Sequence, residues 1–161
     1  MDPASSSPPP FVAVLDSIRS MHNVGSIFRA ADGAGVGKLY LCGMTATPPR
    51  PEIRKAALGA EESVAWEYFV SIKEALLALK QAGYSLIALE NSATSQDYRV
   101  FDYKFPLALI IGHEYEGISA EILAGCDGVI SLPMRGQKNS LNVAVAFGIA
   151  AYEIAKYLDS K

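Results

Sequence analysis

The chain has 161 residues and a formal net charge of −3, with half of its residues apolar and 19% charged. That length holds one domain with a full core and is too short for two, and the composition is globular, with no apolar run long enough to span a bilayer. An acidic balance excludes a protein that coats nucleic acid through its overall field, so a nucleic-acid site has to be a local patch.

Residues 1–10, Met-Asp-Pro-Ala-Ser-Ser-Ser-Pro-Pro-Pro, have neither a basic n-region nor an apolar h-region and read as a disordered tail of partly polyproline character, not a secretory signal. Residues 11–161 read as a single domain. Cys42 and Cys126 are the only cysteines. Nothing suggests export, so they read as reduced core thiols of a soluble, cytoplasmic protein. Neither they nor His22 and His113 have the close spacing that zinc sites use, and no metal is expected.

Phe11 to Leu15 is a short apolar run that ends at Asp16 and predicts a buried strand. Val24, Ile27, Phe28 and Ala31 then fall at helical spacing, with Asn23 as the expected cap and Gly33 or Gly35 as the left-handed stop. In that helix Arg29 lies off the buried face. The glycines of Gly33-Ala-Gly-Val-Gly-Lys38 do not make a phosphate loop: they close a helix and lead into the strand Lys38–Cys42, the reverse of the order a dinucleotide or Walker loop needs.

A Thr- and Pro-rich loop follows, then a short helix over 52–59; Arg50 of the loop with Arg54 and Lys55 of the helix form the densest basic cluster and the candidate RNA contact. Val64–Phe69 predicts a third strand with Trp66 in the core, and Ile72, Ala75, Leu76 and Leu79 predict a helix closed by Gly83. Tyr84–Leu89 predicts a fourth strand ending at Glu90-Asn-Ser, and residues 97–106 a long connection. Leu107–Ile111 is a continuous apolar strand, followed by Gly112-His-Glu-Tyr-Glu-Gly117, a helix over 119–125 and a strand over 128–131.

The stretch that follows, Leu132-Pro-Met-Arg-Gly-Gln-Lys-Asn-Ser-Leu-Asn142, reads as a tight loop. Pro133 ends the strand, Gly136 permits a positive-φ turn, and Asn139-Ser140 can cap a final helix over 141–158. That helix is apolar on Phe147, Ala150 and Ile154 and again on Val145, Ile149 and Tyr152, a double face suited to its own sheet and to a partner subunit. The alternation of strand and helix predicts an α/β fold, with a mostly parallel sheet covered by helices on both faces. The polar loops at Asp16, Glu90, Gly112 and Leu132 then share one sheet edge, where open parallel sheets bind ligands.

Three segments together resemble SpoU-type members of the SPOUT methyltransferases: Asn23-Val-Gly-Ser-Ile-Phe-Arg29, Gly112-His-Glu114-Tyr-Glu-Gly117, and Leu132 through Ala146. His113 stands where Asn is usual, and Leu132 where Ile is common. The resemblance implies S-adenosyl-L-methionine-dependent 2′-O-methylation of a ribose in tRNA or rRNA, by a homodimer whose C-terminal segment is tucked through a trefoil knot. It implies that backbone around Glu90, Gly112, Leu132, Met134, Gly136 and Leu141 holds the cofactor, and that Asn23, Arg29, Glu114, Ser140 and Asn142 build the catalytic end.

Among these, the resemblance makes Arg29 the catalytic arginine; a guanidinium that scarcely deprotonates suits a phosphate clamp better than a base. Asn142 and Ser140 would fix the ribose and the loop, and Glu114 would hold backbone donors. Two rivals differ in class. One is a catalytically silent RNA- or protein-binding module on the same fold, the other a nucleotide-dependent oxidoreductase, which the missing glycine fingerprint disfavours.

Overall fold

A computed structural model describes residues 7–160. Its elements run β1 (Phe11–Asp16), α1 (Met21–Ala34), β2 (Lys38–Cys42), α2 (Pro51–Ala57), α3 (Ala60–Ser63), β3 (Ala65–Phe69), α4 (Ile72–Gln81), β4 (Ser85–Leu89), β5 (Gln96–Asp97), β6 (Leu107–Ile111), α5 (Ala120–Ala124), β7 (Gly128–Ser131) and α6 (Val143–Asp159). The seven strands form one sheet in the order β3-β2-β1-β6-β4-β7-β5. Each neighbouring pair is parallel, so the sheet expected to be mostly parallel is wholly so.

β1 and β6 occupy the middle and, apart from Asp16 at the end of β1, are apolar because both of their faces are covered. Successive side chains alternate between two cores. Phe11, Ala13 and Leu15 pack with Val24, Ile27, Phe28 and Ala31 of α1, Ile53 of α2, and Phe147, Ala150 and Ile154 of α6. On the other face Val12 and Val14 meet Ala75 and Leu79 of α4 and Ile122 of α5. Phe11, Phe28 and Phe147 are each fully buried, and burial of a side chain of this size is worth about 1.5–3 kcal/mol against an extended chain. Trp66 packs partly buried against the first core.

Several local expectations are corrected. Ser20, not Asn23, caps α1, its side chain accepting from the Asn23 N–H; Gly35 (φ 79°) closes that helix. Asn142, not Asn139 or Ser140, caps α6, accepting from the N–H groups of Ala144 and Val145. The two-residue β5 lies inside what the sequence offers as plain connection, and pairs with β7 through Gln96 and Ile130. Gly136 is not among the positive-φ residues, so the turn after β7 does not depend on left-handed backbone there.

Residues 1–6 lie outside the described residues, but Pro9 and Pro10 are tied to the domain. The Tyr84 hydroxyl donates to the Pro9 carbonyl, and the Leu107 N–H to that of Pro10 at 2.8 Å. Both cysteines are free thiols; burial first, then the Asp16 charge, pushes Cys42 up to about 12. Among the described residues no helix is long and apolar enough to cross a membrane.

Candidate active site

The strand order sets β6, β4 and β7 side by side, so the loops leaving their carboxyl ends meet over one sheet edge. There they enclose a cavity of about 290 Å³, near the lower end of small-molecule sites. Leu89, Ile111, Leu132 and Val143 are its apolar walls, and Glu90, His113, Glu114 and Ser140 its polar ones; among the described residues no Lys or Arg lines it.

Glu114 joins the cavity to α1. Its carboxylate accepts the Arg19 N–H at 3.2 Å, the Ser20 N–H at 3.0 Å and the Asn23 side-chain amide at 3.2 Å. The first two are N–H groups at the open start of α1, where the helix dipole favours a carboxylate. Partial burial works to raise the acid, but the Ser20, Asn23 and Arg19 donors outweigh it and hold the carboxyl below the usual glutamate value. Asn23 continues the chain of bonds, its Oδ1 accepting from Asn142 Nδ2 at 3.1 Å. Asn142 Oδ1 is taken up by the start of α6 at 2.9 and 3.1 Å. The Asn142 side chain thus both caps α6 and bridges to α1. Ser140 is exposed on the cavity wall.

Glu90, Gly112, Leu132, Met134 and Leu141 all line the cavity; Gly136 does not. Gly112 is glycine for a steric reason, since a Cβ there would sit 2.7 Å from the Gly117 carbonyl carbon and from the Ile118 side chain. At Gly136 a Cβ would meet nothing within 4 Å. Glu90 Oε2 accepts the Ile118 N–H at 2.8 Å, so its side chain fastens the loop after β6. Asn91 and Asn139, not singled out as site residues by sequence, also line the cavity and are bonded, Asn91 Nδ2 to the Asn139 carbonyl at 2.6 Å. Their only sequence signal is position, directly after β4 and within the polar run after β7.

Arg29 lies exposed on α1 and is not part of the cavity lining. Arg50, Arg54 and Lys55 are exposed on or beside α2, and Arg54 forms an exposed ion pair with Glu62 at 3.7 Å. α2 is bolted to α1 by close approach: a Cβ on Gly25 would lie 2.4 Å from the Ile53 carbonyl oxygen. The basic cluster and Arg29 therefore share one rigid unit beside the cavity.

A parallel sheet with a cavity at its carboxyl edge, walled by a Gly-x-Glu-x-x-Gly loop and a capped final helix, is an α/β architecture with a candidate small-molecule site. The chain matches the SpoU rRNA Methylase family over residues 10–152 and belongs to that family. It is 34% identical over 148 residues to the 23S rRNA (guanosine-2′-O-)-methyltransferase RlmB of Ralstonia nicotianae, spanning 92% of this chain and 59% of the relative. The A. aeolicus TrmH/SpoU tRNA modifying enzyme superposes with a TM-score of 0.85 at 31% identity, covering 95% of this chain and 77% of that one. The AdoMet-bound rRNA methyltransferase from Sinorhizobium meliloti does so with a TM-score of 0.88 at 29% identity, covering 94% and 58%. The chain spans less than two thirds of the length of the curated relatives it matches.

Proposed function

We propose that the protein transfers a methyl group from S-adenosyl-L-methionine to a ribose 2′-hydroxyl of tRNA or rRNA. The observation that carries this reading is the cavity's donor set. Its walls are apolar with carboxylates at Glu90 and Glu114 and, among the described residues, without a Lys or Arg, which suits a cationic sulfonium and repels the pyrophosphate of a dinucleotide. Gly112 adds a backbone wall of the kind that holds an adenosyl group by N–H and C=O. Glu90, Gly112, Leu132, Met134 and Leu141 would hold the cofactor, which supplies an electrophilic methyl when bound.

The protein's own share is alignment and charge. The Asn23–Glu114–Asn142 network fixes the start of α1 and of α6 against the cavity, and Ser140 offers a free hydroxyl at its wall. Arg29, with no hydrogen bond or ion pair of its own in the described structure, is available to grip an RNA phosphate and steady the developing alkoxide. Arg50, Arg54 and Lys55 extend this cationic surface along the RNA.

The active form in this reading is a cytoplasmic homodimer. Its interface uses Val145, Ile149 and Tyr152, which are 52%, 38% and 58% exposed on α6 of a single protomer. The C-terminal trefoil knot is part of the same reading. It is supported by the strap 91–98, which bonds to the β7 segment at Ser131 and to Asn139 beyond it. The test is incubation of the purified chain with S-adenosyl-L-methionine and tRNA or rRNA, followed by nucleoside mass analysis. A 2′-O-methylated nucleoside is expected; base methylation, or none, would refute the reading.

A further inference from the structure

Tyr115 is 95% exposed, the most exposed of the large apolar side chains among the described residues, and it stands on the wall of the cavity. Among those residues its one ring contact is His113, at 6.0 Å between centroids and tilted by 53°. The backbone beneath it is nevertheless fixed. The Tyr115 and Glu116 N–H groups donate to His113 Nδ1 at 3.1 and 3.0 Å, and the Gly117 N–H donates to the His113 carbonyl at 2.9 Å. Glu90 of the loop after β4 then accepts the Ile118 N–H at 2.8 Å. A ring with two χ angles on a fixed base loses little freedom when something stacks on it.

Arg19 stands beside it. Glu114, the residue before Tyr115, accepts the Arg19 N–H at 3.2 Å, so one residue separates the ring from the contact that holds Arg19. The Arg19 side chain is exposed and makes no hydrogen bond or ion pair in the described structure. The Glu114 carboxylate, by contrast, is taken up by the Arg19, Ser20 and Asn23 donors. A bare aromatic face next to an unpaired guanidinium is the combination that holds single-stranded nucleic acid, the ring for a base and the cation for a phosphate. A protein partner would ask for a contiguous apolar patch on the order of hundreds of Å². Tyr115 is flanked instead by Glu114 and the exposed Glu116.

We propose that Tyr115 and Arg19 form a clamp for RNA at the mouth of the cavity: the ring stacks on the base of the acceptor nucleotide, and the guanidinium grips a phosphate next to it. The inference rests on reading the protein as an RNA ribose methyltransferase and names residues that hold the substrate against the methyl donor. An in-line transfer brings the ribose hydroxyl to the methyl group inside the cavity, so the acceptor nucleotide lies across the cavity mouth. Loop 113–117 is one wall of that mouth, and Tyr115 is its exposed ring. The Glu116 charge disfavours a phosphate directly over the loop, which leaves the ring face to the base and the phosphate to Arg19. Stacking accepts every base, so Tyr115 holds the nucleotide without choosing it.

The experiment measures the RNA affinity of the full chain over a range of salt concentrations, using total tRNA or total rRNA, whichever the native chain methylates, alongside calorimetric titration with S-adenosyl-L-methionine. Tyr115→Ala is expected to weaken RNA binding roughly tenfold or more with an unchanged salt slope, and Tyr115→Leu to be as weak. Tyr115→Phe keeps the ring and should bind as the native chain does. Arg19→Ala should weaken binding and also lower the slope of log affinity against log salt by about one. Methyl-donor affinity should hold in all four variants, because both side chains are exposed. Tyr115→Leu binding RNA like the native chain, Arg19→Ala with the native salt slope, or lost methyl-donor affinity in Tyr115→Ala overturns the proposal. A native chain that methylates neither RNA overturns the methyltransferase reading and this inference with it.

Discussion

Asn142 and Asn23, 119 residues apart in sequence, are joined side chain to side chain at 3.1 Å. The same two residues open the two helices that pack on one face of the sheet, Asn142 as the cap of α6 and Asn23 in the first turn of α1. One amide pair therefore sets the relative position of both helix starts at the cavity.

Replacing Asn142 separates its two tasks. Asn142→Ala removes the cap and the bridge and is expected to cost about 1–2 kcal/mol, read as a lowered midpoint in thermal unfolding. Asn142→Asp keeps the cap acceptor but cannot donate to Asn23, so its midpoint should lie near the native one while methylation still falls. Equal unfolding losses in the two variants would show that the bridge, not the cap, carries the stability.

Glu114 makes stability depend on acid. Its carboxyl lies below the ordinary value of 4.5 when folded, so the unfolded chain binds the proton more readily. Its contribution is full above 4.5 and is lost as pH falls through the lower folded value. Denaturant unfolding of Glu114→Gln should show a less stable protein at neutral pH, with the gap to the native chain closing as the pH falls through the lowered folded value. A gap that persists in acid would contradict this assignment.

At Arg29 binding and chemistry should come apart. The side chain is exposed and outside the cavity, so Arg29→Ala should change stability by less than about 0.5 kcal/mol and leave cofactor affinity in place. Single-turnover methylation should drop about a hundredfold or more. Arg29→Lys should recover only part of it, lacking the planar two-pronged grip on phosphate.

Two glycines give opposite outcomes. Gly112→Ala forces a Cβ against the backbone at Gly117 and is expected to lose about 1–3 kcal/mol of stability together with cofactor binding. Gly136→Ala has open space around it and should bind and fold as the native chain does, by calorimetry and thermal melting.

For the proposed dimer, Ile149→Asp is the direct probe. Ile149 is solvent-facing in the protomer, so secondary structure should persist by circular dichroism while sedimentation shifts to the monomer. A native chain that sediments as a monomer at micromolar concentration would remove the dimer from the reading.

The strands and long helices were legible because their buried apolar residues repeat at the periods that burial imposes: every residue of Phe11–Leu15 and of β6, and every third or fourth in α1 and α6. The sharing of one sheet edge by Glu90, Gly112 and Leu132 followed from βα alternation alone. Caps were harder. Ser20, Asn23, Asn139, Ser140 and Asn142 are all good capping residues, and only the tertiary partners of Asn23 and Asn142 decide which of them is used. β5 left no trace, because two residues give no period to read and their pairing is made by β7 some thirty positions on. Gly136 misled for the opposite reason: a glycine allows positive φ without requiring it.

The two margins of the sheet carry a consequence for how copies of this protein can meet. On one side the ladder stops at β5, only two residues long. On the other, β3 bears Glu67, held by Lys38 at 2.8 Å, and Tyr68, whose hydroxyl reaches back to the Gly43 carbonyl at 2.7 Å. Short length and edge charge are what discourage a foreign strand from extending a ladder. Growth by strand addition is blunted at both ends, which leaves helix against helix as the open route to self-association. A concentrated sample with its α6 face blocked should accordingly stay dispersed and not turn fibrous.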